Sequence, residues 1–206
     1  DLLTRPPSGA RMRGRSDPAA ALLSGVQNAD APPRMNVFLV GPMGSGKSAV
    51  GRQLAQRLAL EFIDSDAEIE ARTGVDIAYI FEREGEAGFR SREAEVIDAL
   101  SRRDRVLVST GGGAILDAST RERLRARGRV VYLRTSVDQQ LARTRRSNDR
   151  PLLNNDDPRG TLERLFEQRA PLYTEVAEIV VDTDGRKVKA VVDQICHQLG
   201  VDGVEP

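Results

Sequence analysis

The 206-residue chain is short of several things, and each shortage excludes a class of behaviour. Cys196 is the only cysteine, so no internal disulfide and no cysteine-based metal knuckle can form, and a reducing compartment is expected. There is no excess charge of either sign: 31 basic and 31 acidic residues cancel, leaving no net field that would favour nucleic acid or an anionic membrane. No apolar run approaches the length of a membrane span, and Ala19 to Leu23 is too short for the core of a secretory signal. There is no internal repeat, and the length suits one domain with one substantial core. These absences predict a soluble cytoplasmic protein with neither nucleic acid nor membrane among its partners; a monomer is expected, though nothing in the composition bears on oligomeric state. Lysine is the last scarcity, with 3 of the 31 basic residues against 28 arginines. A single arginine here is therefore weak testimony, whereas a lysine is informative.

One of those lysines, Lys47, stands in Gly41-Pro-Met-Gly44-Ser45-Gly46-Lys47-Ser48. This segment fills every fixed place of the phosphate-binding pattern G-x-x-x-x-G-K-[ST], directly behind the apolar run Val37-Phe-Leu-Val40. The glycines let the backbone fold into a nest of inward-pointing N–H groups at the positive end of the following helix, which suits a highly charged anion. An ammonium is compact enough to sit inside such a nest where a planar guanidinium is not, so the exception to the arginine habit falls at a site that requires it. Lys47 is expected to reach the β- and γ-phosphates of a nucleotide and Ser48 to ligate Mg²⁺, one per subunit. Val50, Leu54 and Leu58 follow at helical spacing, the context that the motif needs.

Residues 1–34 are rich in Pro, Gly, Ser, Ala and Arg and end in Ala31-Pro-Pro-Arg34. They are expected to be a disordered extension, with an Arg-rich transit peptide as the alternative. Residues 35–200 then form the single domain and 201–206 a tail. Strands are predicted near 36–40, 61–64, 105–109, 129–133 and 178–182. Helices are predicted over 47–59, across 66–100, near 117–127, and over 136–146, 161–177 and 187–199. Gly74 reads as a C-cap, Ser136 with Gln139 as a capping box, and Gly128 as a break between helix and strand. Strands alternating with helices imply a parallel sheet covered on both faces, with a ligand crevice beyond the strands' C-terminal ends.

Several residues on that rim could carry chemistry. Asp64 and Asp66 flank Ser65 at the end of the second strand, where an i, i+2 pair in extended chain points to one side. Asp64 suits Mg²⁺, and Asp66 suits accepting the hydrogen bond of a hydroxyl that attacks the γ-phosphate; a helix N-cap explains Asp66 equally well. Gly111, Gly112 and Gly113 follow the strand Val106–Ser109 as bare backbone able to approach an oxyanion or hydroxyl, or as a plain tight turn. Arg90 on a helical stretch, and Arg169 before Ala170-Pro171, where proline should kink or end the helix, are each explicable as solvated surface charge. The polar segment from Thr144 to Pro158, containing Arg150, reads as a lid that closes arginine over phosphates, or as a surface loop. Cys196 and His197 point about 100° apart on the last helix and are assigned no role.

Taken as an ordered set, the loop, Phe-Ile-Asp64-Ser-Asp66, Phe89-Arg90, Ser109-Thr-Gly-Gly-Gly-Ala114, Arg150-Pro-Leu-Leu and Arg169-Ala-Pro-Leu-Tyr173 resemble the shikimate kinase family over residues 36–199. The resemblance implies an α/β single-domain P-loop kinase of the nucleoside-monophosphate-kinase fold, with a five-stranded parallel sheet, helices on both faces and a mobile lid. It implies ATP as co-substrate and shikimate as acceptor, phosphorylated at its 3-hydroxyl. The catalytic residues are then Lys47, Asp66 and Arg150. Gly44, Ser45, Gly46, Lys47, Ser48 and Ala49, with Arg143, Arg150 and Arg186, bind ATP. Asp66, Arg90, Gly111, Gly112, Gly113 and Arg169 bind shikimate, and Ser48 and Asp64 hold the metal. A carboxylate with three hydroxyls suits two guanidiniums, an aspartate and bare N–H groups. A gluconate or nucleoside monophosphate kinase, and a nucleotide-gated regulatory module, are the competing readings.

Overall fold

Short apolar runs with no polar alternation belong to strands buried on both faces, and such runs form the middle of the sheet, which the computed structural model, describing residues 35–144 and 156–201, builds from five strands. These are β1 (Val37–Val40), β2 (Glu61–Asp64), β3 (Val106–Ser109), β4 (Arg129–Arg134) and β5 (Ile179–Asp182). All neighbours pair in parallel, in the order β2-β3-β1-β4-β5. Within β1, Val37 and Leu39 join one core and Phe38 and Val40 the other, so period-2 alternation serves two hydrophobic layers at once. Each such side chain contributes about 1.5–3 kcal/mol on full burial.

Seven helices of the described residues cover the two faces: α1 (Lys47–Arg57), α2 (Ser65–Thr73), α3 (Ile77–Ser101), α4 (Ala118–Arg127), α5 (Val137–Thr144), α6 (Pro158–Val176) and α7 (Val188–Leu199). Val50 and Leu54 of α1 and Val191, Val192 and Ile195 of α7 pack on the Val37/Leu39 side. On the other side lie Ile69 of α2, Phe89, Val96, Ile97 and Leu100 of α3, Leu124 of α4 and Tyr173 and Val176 of α6. Gly74 takes a left-handed C-cap conformation at φ 73, as expected, and Gly128 separates α4 from β4. The predicted box at Ser136 is half made: its Oγ accepts from the Gln139 amide at 3.3 Å, but the Ser136 amide donates to the Asp184 carboxylate.

Three details differ from the sequence reading. Asp64 and Asp66 do not share an extended strand, because the helix begins at Ser65 and they straddle the junction. Pro171 neither ends nor displaces α6, which runs on to Val176; burial of Leu162, Tyr173 and Val176 outweighs the one backbone hydrogen bond that proline removes. Arg169 is therefore a mid-helix residue, not a terminal one. The α3 segment is broken at Gly85, whose φ of 71 and ψ of −177 redirect the chain before Phe89 and Arg90. The expected N-terminal extension, the tail from 202 onward and Arg150 of the expected lid lie outside the described residues.

Candidate active site

The chain leaves central β1, goes out to β2 and returns to β3 on one side, then occupies β4 and β5 on the other. The C-terminal end of β1 is thus the topological switch point, and the phosphate-binding pattern falls on it. Gly41, Gly44 and Gly46 hold φ of 145, 75 and 91, values that side-chain-bearing residues rarely adopt, and so the loop can curl. Gly46 caps α1 with no side-chain hydrogen bond, which leaves the helix's first N–H groups to an incoming anion. Lys47 Nζ bridges the loop, donating to the carbonyls of Gly41 at 2.7 Å and Pro42 at 2.9 Å. Ser45 Oγ is buried at the loop's base without a hydrogen-bond partner.

Ser48 Oγ donates to Asp64 Oδ2 at 2.9 Å, and Asp64 Oδ1 accepts the Asp66 amide at 3.1 Å. Asp64, not Asp66, is the N-cap of α2, so the capping explanation for Asp66 falls. A hydroxyl and a carboxylate are hard oxygen donors that fit Mg²⁺. Among the described residues no group of three or more His, Cys, Asp or Glu side chains could hold a metal ion. Ser48 and Asp64 would thus offer two oxygens, a set that suits a cation that keeps most of its waters and arrives with phosphate.

Beside this lies a second cluster of charge. Asp66 Oδ1 is buried with no partner, and burial first, then Asp64, pushes its carboxyl above the ordinary aspartate value, against Lys47 and Arg90. Arg90 is only 22% exposed and donates to Glu93 Oε2 at 2.7 Å and to Glu86 at 3.1 Å, which removes the solvated-surface reading. Arg169 is 5% exposed, with its Nε unpartnered, and is likewise no surface ornament. Glu93 is 2% exposed with Oε1 unpartnered; burial raises its carboxyl, while Arg90 and more weakly Arg169 oppose the shift. Three buried polar atoms awaiting partners in one neighbourhood, Asp66 Oδ1, Glu93 Oε1 and Arg169 Nε, mark a place built for a polar guest.

The three glycines do different things there. A Cβ on Gly111 would lie 2.2 Å from Glu93 Oε1 and 2.9 Å from Asp66 Oδ1, and one on Gly113 would lie 2.3 Å from Arg90 Nη2. A side chain at either position would have to push the Glu93 carboxylate or the Arg90 guanidinium aside. At Gly112 the nearest atoms would be Gly41 O and Met43 N at 3.6 Å and Arg169 Nη1 at 3.7 Å, an ordinary fit. Its missing side chain leaves open the space between the phosphate loop and Arg169. A tight turn is present as well, since Ala114–Leu116 forms a single 3-10 turn.

On the β4–β5 side, Arg143 donates to Gly44 O at 2.8 Å and Thr183 O at 3.2 Å, and thus joins the loop to the β5–α7 connection. Arg186 does not reach the loop: its guanidinium binds Asp182 O, Gln194 and Ala190 O beside α7. Glu93 escaped the sequence reading although it had a signal. It occupies the apolar helical stripe of Phe89, Val96, Ile97 and Leu100, where a carboxylate is out of place unless it has work. Cavity size is no guide here: a groove of about 400 Å³ lies between α2 and α3, lined by Ile69, Val75 and Tyr79, apart from all of these groups.

The family model described as shikimate kinase matches residues 43–200. A shikimate kinase of Shewanella amazonensis is 56% identical over 167 residues, 81% of this chain and 98% of that protein. A shikimate kinase of Alteromonas mediterranea is 54% identical over 82% of this chain and 98% of its own length. Among solved structures, shikimate kinase from Acinetobacter baumannii in complex with shikimate superposes with a TM-score of 0.80 at 46% identity, covering 84% of this chain and 97% of that one.

Proposed function

The chain belongs to the shikimate kinase family, and we propose that it transfers the γ-phosphoryl group of ATP to the 3-hydroxyl of shikimate, giving shikimate 3-phosphate and ADP for aromatic amino acid biosynthesis. The observation that carries this reading is the buried, unpartnered Asp66 carboxylate oxygen set between the phosphate loop and two half-buried or buried arginines. Arg90 and Arg169 hold the acceptor's carboxylate by charge-assisted hydrogen bonds. Asp66 accepts the proton of the 3-hydroxyl as its oxygen bonds to the γ-phosphorus and the bond from that phosphorus to the β–γ bridging oxygen breaks. Lys47, the loop amides of residues 44–49 and Arg143 orient the nucleotide, and Arg150 and Arg186 complete its site. Ser48 and Asp64 hold Mg²⁺, which when bound neutralises charge on the β- and γ-phosphates. The protein acts as a cytoplasmic monomer.

A coupled ADP-release assay with shikimate, gluconate, a nucleoside monophosphate and no acceptor tests the reading. ADP formation that depends on shikimate is expected, and acceptor-independent turnover or a preference for another acceptor overturns it.

Gly112→Ala provides a sharper test of where the acceptor lies. The protein tolerates the added methyl, so the unfolding midpoint should stay close to wild type, while the KM for shikimate rises by about tenfold or more as the crevice is filled. Gly111→Ala and Gly113→Ala should instead lose about 1–3 kcal/mol of stability through overpacking against Glu93 and Arg90. Thermal unfolding beside steady-state kinetics separates the two patterns, and equal destabilisation by all three substitutions would remove Gly112 from the acceptor site.

A further inference from the structure

Tyr173 has no task in the chemistry above, yet it is 0% exposed, and its hydroxyl donates to the carbonyl oxygen of Gly112. We propose that Tyr173 is a positioning residue for the acceptor site, its hydroxyl lying between the Gly112 carbonyl, to which it donates, and the Arg169 guanidinium, so that it holds the two together. The proposal rests on the reading that Gly112 and Arg169 flank shikimate.

Three consecutive glycines have more backbone freedom than any other tripeptide and no side chain with which to lock themselves. The segment must therefore be pinned from outside. Gly111 is pinned twice: its amide donates to Ser65 Oγ at 3.0 Å, and its carbonyl accepts from the Ala114 amide at 3.2 Å. The Gly112 carbonyl has Tyr173. Arg169 and Tyr173 stand at i and i+4 on α6, hence on one helical face, and Arg169 Nη1 comes within 3.7 Å of where a Gly112 Cβ would be. One helical turn thus carries both the guanidinium and the anchor of the backbone opposite it, which keeps the two in register.

The ring cannot swing away, because it stacks on Tyr132 with centroids 4.9 Å apart and planes 26° from parallel. Burial pushes the Tyr173 phenol well above its ordinary ionisation, so it remains a donor throughout the working pH range. Tyr132 supplies the contrast. It is equally buried, but its hydroxyl has no hydrogen-bond partner among the described residues. Removing that hydroxyl should cost the site nothing, whereas removing the other frees Gly112 and takes a partner from Arg169.

Tyr173→Phe and Tyr132→Phe, made in the full chain, keep both rings and delete one oxygen each. Tyr173→Phe is expected to raise the KM for shikimate about five- to tenfold, the effect of one hydrogen bond lost with its acceptor left buried, and to leave the KM for ATP within about twofold. Tyr132→Phe should match wild type in both constants. An unchanged shikimate KM in Tyr173→Phe, or a parallel rise in the ATP KM with a fall in unfolding midpoint, overturns the positioning role, since the second pattern is general loosening. Equal effects from the two variants overturn it too. Wild-type protein that releases no ADP with shikimate overturns the functional reading together with this one, so the two failures are distinguishable.

Discussion

Lys47→Ala is expected to lower kcat/KM for phosphoryl transfer by about 10³-fold, the scale seen when a preorganised donor to developing charge is removed. The size follows from position. Lys47 Nζ lies 2.7 and 2.9 Å from two carbonyls of the loop, so the ammonium is already held where phosphate oxygens will arrive and needs little reorganisation. Nor is a substitute at hand in this composition, for only Lys187 and Lys189 share its chemistry, and both lie at the start of the last helix. Lys47→Arg keeps the charge and follows the chain's own preference, yet it should stay nearer the alanine variant than the wild type, because a planar guanidinium does not fit the nest. Steady-state kinetics with ATP and shikimate varied in turn, beside thermal unfolding to show that the fold persists, make the test. Wild-type kcat/KM in Lys47→Ala, or full rescue by arginine, would remove Lys47 from its role.

Much of this was legible in the sequence because the local signals agreed with the global fold. The phosphate pattern followed an all-apolar strand, the three central strands were short runs dominated by apolar residues, and glycines stood where helices end. The element order followed from that, to within three residues at most boundaries. What stayed ambiguous was any residue whose meaning depends on a distant neighbour. Asp66 could be a cap or a base until Asp64 was found to occupy the cap. Arg90 and Arg169 looked like members of an arginine surplus until burial set them against Glu93 and Gly112. Glu93 itself was hidden because its burial becomes evident only when α3 is laid on the sheet, and the break at Gly85 that aims this half of α3 has no periodicity to announce it. Arg186 was assigned to the nucleotide by resemblance alone, and its contacts with Asp182 of β5 and with Ala190 and Gln194 of α7 carry no local sequence signal.

Asp66→Asn separates chemistry from fold more cleanly than any other substitution. As the group that takes the hydroxyl proton, Asp66 should account for about 10² to 10⁴ in kcat, with the KM for ATP little changed. Its environment adds a signature that a merely structural aspartate would not have. Burial, then the Asp64 charge, holds its folded-state pKa above the unfolded value, so the folded protein grips this proton more tightly than the unfolded chain does. Stability linked to the group is complete below the unfolded pKa and is lost as pH rises through the raised folded one. Once ionised, the carboxylate, with Oδ1 unpartnered and Glu93 nearby, is therefore a liability that the site tolerates for reactivity. Asparagine removes that charge. The variant should unfold at a higher temperature than wild type near neutrality, and the advantage should shrink as pH falls toward the ordinary aspartate range. In wild type the rate should fall on the acid side as Asp66 gains its proton, and the residual rate of Asp66→Asn should lack that limb. A variant that keeps wild-type kcat, or loses activity only in step with stability, would make Asp66 a structural residue.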